Sequence, residues 1–147
     1  MNPEMYMMQS NKQPSRKLLD LIKEAMKDEK HDNKKYRTMS EMTENKEIRE
    51  NIRHAYEDEA KHYRMFQDIY EDLTGEEIEI QTPKVELADR FVDNVKSSIQ
   101  GELAAVEMYR DIRAMLTTKK HRDMLYEVIT DEQEHATRFV YIYAMIK

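Results

Sequence analysis

A chain of 147 residues with two Gly, three Pro and 37% charged side chains has room for one core but lacks the turn residues of a strand-rich fold. The absence of Cys excludes disulfides, thiolate metal sites and a thiol nucleophile, and a net charge of −6 disfavours a nucleic-acid partner. No apolar run approaches membrane-spanning length and no apolar leader core opens the chain, so a cytoplasmic protein with no membrane partner is expected.

Residues 1–14 carry Met5, Tyr6, Met7 and Met8 without a sustained period and read as a tail that packs on a partner. From Ser15 a helical period begins, with Leu18, Ile22, Ala25, Met26, Glu29, Tyr36 and Met39 on one face, and it fades at Ser40. Thr43 to Asn45 offers N-caps for a second helix through Ile48, Ile52, Ala55, Glu59, His62, Phe66 and Ile69, ended by Gly75. After a connection over 75–82, Thr82-Pro83 reads as the start of a third helix carrying Leu87, Phe91, Val95, Glu102, Val106 and Tyr109. A break at Thr117-Thr118 leads to a fourth with Leu125, Val128, Glu132, His135, Phe139 and Ile142. Helices this long with one apolar stripe bury it against each other, so residues 15–147 are expected to form one all-α four-helix bundle.

Sliding the chain by 73 positions superposes the hairpin 15–74 on the hairpin 83–147. The coincidences include Glu29 with Glu102, Tyr36 with Tyr109, Asp58 with Asp131, Glu59 with Glu132, His62 with His135 and Phe66 with Phe139. The polar members fall on the apolar stripe, where charge is expensive.

A single Glu-x-x-His arises about 0.6 times in a shuffle of this composition, so one copy would mean little. Here Glu59-Ala-Lys-His62 and Glu132-Gln-Glu-His135 each follow an Asp and each lie thirty residues after a stripe-facing Glu. Residues i and i+3 share a helix face, so Glu and His of one motif reach a common ion. Two such helices, with one Glu from each of the others, supply four carboxylates and two imidazoles, the donor set of a dinuclear metal centre inside a bundle. Two divalent cations cancel four buried negative charges that would otherwise be untenable together. The plainer alternative is four Glu solvated at the stripe's edge.

Asp58 and Asp131, each next to a Glu of the motif, are placed to accept the second ring N–H of a His on the opposing helix; solvated surface Asp is the alternative. Tyr36 and Tyr109 either donate to the carboxylates or pack as ordinary core aromatics. His31, His54 and His121 fall off the stripe and are expected at the surface, as is the charged run Lys27 to Lys35.

On these motifs residues 15–147 resemble the ferritin-like superfamily, and within it the small rubrerythrin-like proteins without a rubredoxin domain. The resemblance implies a ferritin-like bundle with a long connection between helices 2 and 3, holding two iron ions, with manganese or zinc as alternative occupants. It makes Glu59 and Glu132 the bridging carboxylates, Glu29 and Glu102 the terminal ones, and His62 and His135 the imidazole ligands. The implied activity is that of an oxidoreductase reducing peroxide or oxygen with an external electron donor, in a homodimer. Iron storage with ferroxidase activity, and a metal-stabilised interaction module without turnover, are the alternatives. Two features depart from rubrerythrins proper: Ala105 stands where they carry a further Glu, and the Cys-rich domain is missing.

The same resemblance sets the two hairpins about an axis perpendicular to the bundle, so the connection runs the bundle's length. Leu73 to Lys84 must then cover about 45 Å with an extended reach of about 43–47 Å. Either the segment is extended, or helix ends fray to lengthen it, or two chains exchange hairpins.

Overall fold

In the computed structural model, which describes residues 13–147, the Ser15 side chain accepts from the Leu18 amide at 3.1 Å and opens α1 (Arg16–Glu41). Asn45 caps α2 (Lys46–Thr74) in the same way, accepting from the Ile48 amide at 3.0 Å. Such a cap contributes about 1 kcal/mol. Gly75 ends α2 at φ 77°, a left-handed conformation that any side chain would strain. α3 (Phe91–Met115) and α4 (Lys119–Ile146) form the second hairpin, with Thr118 accepting from the His121 amide at 3.3 Å. Met5, Tyr6, Met7 and Met8, read as part of a partner-packing tail, lie outside the described residues. Among the described residues there is no strand, and no helix is long and apolar enough to cross a membrane.

α1 packs on α2 and α3 on α4, while between hairpins α1 meets α3 and α2 meets α4. Side-chain pairs fix the directions. Asp72 meets Lys120 and His121 at one end of α2, and Asn51 meets Arg138 at the other, so α2 and α4 are antiparallel. The hydrogen bonds Tyr36–Glu102 and Tyr109–Glu29 show the same for α1 and α3. The result is the expected all-α four-helix bundle, with a connection that runs end to end between its second and third helices.

Two apolar clusters fill the ends. One contains Leu18, Ile22, Phe66, Ile69, Tyr109 and Leu125, and the other Met39, Ile48, Ile52, Val95, Phe139 and Ile142. Between them lies a buried layer of Glu29, Glu59, His62, Glu102, Glu132 and His135, each 0% exposed.

The third helix starts at Phe91 and not at Pro83. Residues 76–88 carry no helical turn, so the connection is sixteen residues, 75–90, and its reach grows to about 53–58 Å. The local signal of Thr82-Pro83 thus yields to the distance between helix ends. The Gln67 side chain donates to the Ile78 carbonyl at 2.8 Å, and the Ile80 amide donates to Tyr63 Oη at 3.0 Å, so the connection lies along α2. Asn94 closes its far end by accepting from the Ala88 amide at 2.8 Å and donating to the Ala88 carbonyl at 2.9 Å.

Two surface expectations are corrected. His121 is buried at the foot of α4, its Nε2 2.9 Å from Asp72 Oδ2, because the α2 terminus covers it. Lys35, within the charged run, is also buried and donates to Ser97 Oγ at 2.9 Å; burial lowers its pKa, opposed by Asp32 and Glu102.

Candidate metal centre

The geometry starts from the helix pitch. Glu29 and Tyr36 sit two turns apart on α1, as do Glu102 and Tyr109 on α3, and the antiparallel crossing sets each Tyr opposite the other helix's Glu. Tyr36 donates to Glu102 Oε1 at 2.5 Å and Tyr109 donates to Glu29 Oε1 at 2.6 Å. Burial, and then neighbouring acidic groups, raises the pKa of both phenols well above 10, so they remain donors. The Phe four residues after each His braces these rings. Phe66 lies 5.0 Å from Tyr109 and Phe139 4.8 Å from Tyr36, centroid to centroid.

The imidazoles are held from behind. His62 Nε2 lies 2.8 Å from Asp131 Oδ2, and His135 Nε2 lies 2.8 Å from Asp58 Oδ2. Each ring therefore donates outward from Nε2 and turns Nδ1 to the interior. There His62 Nδ1 is 3.0 Å from Glu132 Oε1, 3.6 Å from Glu29 and 3.7 Å from Glu59. His135 Nδ1 is 2.9 Å from Glu59 Oε1, 3.5 Å from Glu132 and 3.6 Å from Glu102.

The hydrogen-bond account of this layer does not close within the protein. Glu29 and Glu102 each give one oxygen to a Tyr and leave Oε2 unpartnered. Glu59 and Glu132 have no aligned hydrogen bond at either oxygen, nor do the Nδ1 atoms of His62 and His135, although Nδ1 of each ring lies within 3.0 Å of a carboxylate oxygen. Buried polar atoms are otherwise nearly always satisfied, so eight orphans in one layer mark a ligand-binding site. They fall into two overlapping groups, Glu29, Glu59, His62 and Glu132, and Glu59, Glu102, Glu132 and His135, whose donor atoms lie within 4.8 Å of one another. Glu59 and Glu132 belong to both groups. Carboxylate oxygen and imidazole nitrogen suit divalent first-row metals, and the arrangement fits two ions side by side.

The protonation states describe the strain of the metal-free layer. Burial, then Glu132, Glu29 and Glu102, pushes Glu59 well above 4.5; burial and then Glu102 raise Glu132. Burial opposes the charged imidazoles, yet Asp131, Glu132 and Glu29 hold His62 at about 11, and Asp58, Glu102 and Glu132 hold His135 at about 12. Burial is the largest influence on Asp58 and Asp131 and raises both, but the His hydrogen bond, the imidazole charge and Lys61 together overcome it and leave each pKa below 3.8.

Lys61 was not legible as part of the site, because it occupies an unspecified position inside Glu-x-x-His. Its Nζ lies 3.4 Å from Asp131 and 3.8 Å from Asp58, between the two carboxylates that orient the imidazoles. His31 and His54 stay outside the layer, His54 lying 3.4 Å from Asp58.

The Rubrerythrin family model matches residues 20–143. Among curated proteins, YhjR of Bacillus subtilis (strain 168), described as an uncharacterized protein, is 27% identical over 106 residues, 72% of each chain.

Proposed function

The chain belongs to the rubrerythrin family, and from that premise we propose that it is a non-haem di-iron oxidoreductase reducing peroxide or oxygen at the Glu29, Glu59, His62, Glu102, Glu132 and His135 layer. The observation that carries this reading is the set of eight unpartnered donor atoms, with Glu59 and Glu132 shared between two groups. A storage protein needs the same metals, but nothing in one bundle speaks for a closed shell of many subunits.

Two ferrous ions bound here would supply the electrons and the Lewis acidity for cleaving an O–O bond. The residues then have distinct tasks. Glu59 and Glu132 would hold a metal pair together, because each belongs to both donor groups and has no aligned hydrogen bond at either oxygen. Glu29 and Glu102 each present one oxygen, the other being fixed by Tyr109 or Tyr36. Asp131 and Asp58 fix the tautomer of His62 and His135 and raise their basicity as ligands. The two phenols, buried and hydrogen-bonded, are the nearest neutral O–H groups to the carboxylates and keep protons available at Oε1. The apolar clusters above and below exclude bulk water and strengthen every electrostatic contact between them.

The test is anaerobic loading with ferrous iron, a metal count, and peroxide consumption with a surrogate reductant. Two irons per chain and consumption well above that of free iron are expected. Consumption no faster than free iron overturns the peroxidase reading.

A further inference from the structure

The dinuclear layer is nearly symmetric, but its surroundings are not. Between α1 and α2 a cleft of about 410 Å³ opens to solvent and backs onto Glu29 and Glu59. Lys30, Lys34, Arg37 and Arg64 line it, and among the described residues none of the four has a carboxylate within ion-pair distance. Lys30 Nζ instead rests 4.6 Å from the centre of the Tyr63 ring, and the Arg37 guanidinium 4.9 Å from that of Tyr56. The repeat provides an internal control. Its partners of these residues on the α3–α4 side are Leu103, Glu107, Arg110 and Thr137. There the single cation, Arg110, is paired with Glu107 at 3.7 Å. The internal residues have kept their partners while four positive charges stand on one mouth only, in a chain of net charge −6.

Each participant in the proposed reaction can be set against that mouth. Peroxide and oxygen are neutral at neutral pH and gain nothing from four cations. They are also far smaller than the cleft, since a water molecule occupies about 30 Å³. An arriving divalent metal ion is repelled. An anion of organic size is attracted, and clefts of about 300–1,000 Å³ are those that hold small organic ligands. Two bound divalent ions would offset the four carboxylates at the base, leaving the rim charge uncompensated.

We propose that the α1–α2 cleft docks a small organic anion over Glu29 and Glu59, and that this anion is the electron donor of the reaction. The donor half of the proposal rests on the oxidoreductase reading above; the docking half does not. Glu29 and Glu59 are 0% exposed, so the donor stays outside the metal layer and passes its electrons through the two carboxylates. Two electrons leave the donor, which departs oxidised. With two protons from solvent they balance the conversion of one peroxide into two waters, one O–O bond breaking and two O–H bonds forming.

Docking is tested without turnover. The full chain, loaded with zinc, is titrated with benzene disulfonate, a redox-inert organic dianion, and amide shifts are followed by NMR. Shifts centred on Lys30, Lys34 and Arg64 are expected, with affinity falling at least roughly tenfold in Lys34→Glu/Arg64→Glu. Both positions are exposed, so the fold tolerates the change. The control Lys96→Glu/Arg110→Glu alters net charge equally on the other hairpin and should leave binding within about twofold. Shifts mapped elsewhere, or equal losses in the two variants, overturn the docking site.

The donor role is tested by stopped-flow reduction of the oxidised, iron-loaded protein with anionic ascorbate and with a neutral hydroquinone. The cleft variant should slow ascorbate at least roughly tenfold, remove most of its salt dependence and leave the hydroquinone within about twofold. An equal effect on both donors overturns the assignment. Failure of the oxidoreductase reading has a different signature: anion binding persists in the cleft while neither donor supports peroxide consumption.

Discussion

The phenol of Tyr109, on α3, donates to Glu29 Oε1, on α1, at 2.6 Å, and so ties one hairpin to the other through the metal layer. With Oε1 engaged, only Oε2 of Glu29 faces the interior. Tyr109→Phe leaves a buried carboxylate oxygen without its donor. The metal-free fold should lose about 1–3 kcal/mol, read as a lower melting temperature. The ring itself still packs on Phe66, and Glu29 keeps its free oxygen, so the metal count should remain two. Loss of a metal from this variant would show that the phenol, and not the carboxylate alone, secures it.

His62 presents Nδ1 inward because Asp131 takes its other ring nitrogen at 2.8 Å. In Asp131→Ala the ring loses its orienting acceptor, and metal affinity should fall roughly 10–100-fold, by competition with a chelator. Asp131→Asn retains an acceptor oxygen but not the charge, and should fall between. Asp58→Ala should weaken the His135 side in the same way, since its bond to His135 Nε2 has the same length. Unchanged affinity in both Ala variants would make these carboxylates mere surface groups.

The parts of this architecture that were legible in the sequence are those repeated in it. Glu29, Glu59, His62 and their partners stand on an apolar stripe, and a charge there has few explanations. The N-cap offered by Thr43 to Asn45 and the stop at Gly75 were equally local; the caps at Ser15 and Thr118 are seen only in the fold. The start of α3 was not, because Pro83 is a helix-start signal that only the separation of the α2 and α3 ends overrides. Lys35 and His121 lie off the stripe, and their burial comes from neighbours distant in sequence, Ser97 and Asp72. The basic cleft escaped for a similar reason. Its lysines belong to a charged run that reads in sequence as a solvated face, although in the fold only Lys27 and Lys34 of Lys27 to Lys35 are exposed, and only the fold brings Arg64 beside them.

Glu59 and Glu132 each belong to both donor groups, so their joint removal has no local compensation. Glu59→Ala/Glu132→Ala should lose both metals, measured after anaerobic loading and desalting. Retention of both metals would contradict the bridging role. Within one chain Glu59 and His135 approach to 2.9 Å, so the centre needs no exchange of hairpins between chains. Metal loss in this variant should therefore be independent of protein concentration.

The sign of the pH dependence follows from which state holds the protons. In the metal-free fold Glu59 and Glu132 stand above 4.5, chiefly through burial, and His62 and His135 stand at about 11 and about 12 instead of 6.5. The folded chain therefore keeps protons that the unfolded chain has released, above about pH 4.5 at the carboxylates and above about pH 6.5 at the imidazoles. Stability is fully present below those values and declines as pH rises through the window. Asp58 and Asp131, with pKa values below 3.8, are ionised in both states there and add no slope. Two divalent cations displace the imidazole protons and neutralise the carboxylates, which removes the penalty. The melting temperature of metal-free protein should fall from about pH 5 to about pH 9, while that of the loaded protein should not, so the gap widens with pH. A metal-free melting temperature that rises across this range would place the protons elsewhere and contradict the burial of an unmetallated carboxylate layer.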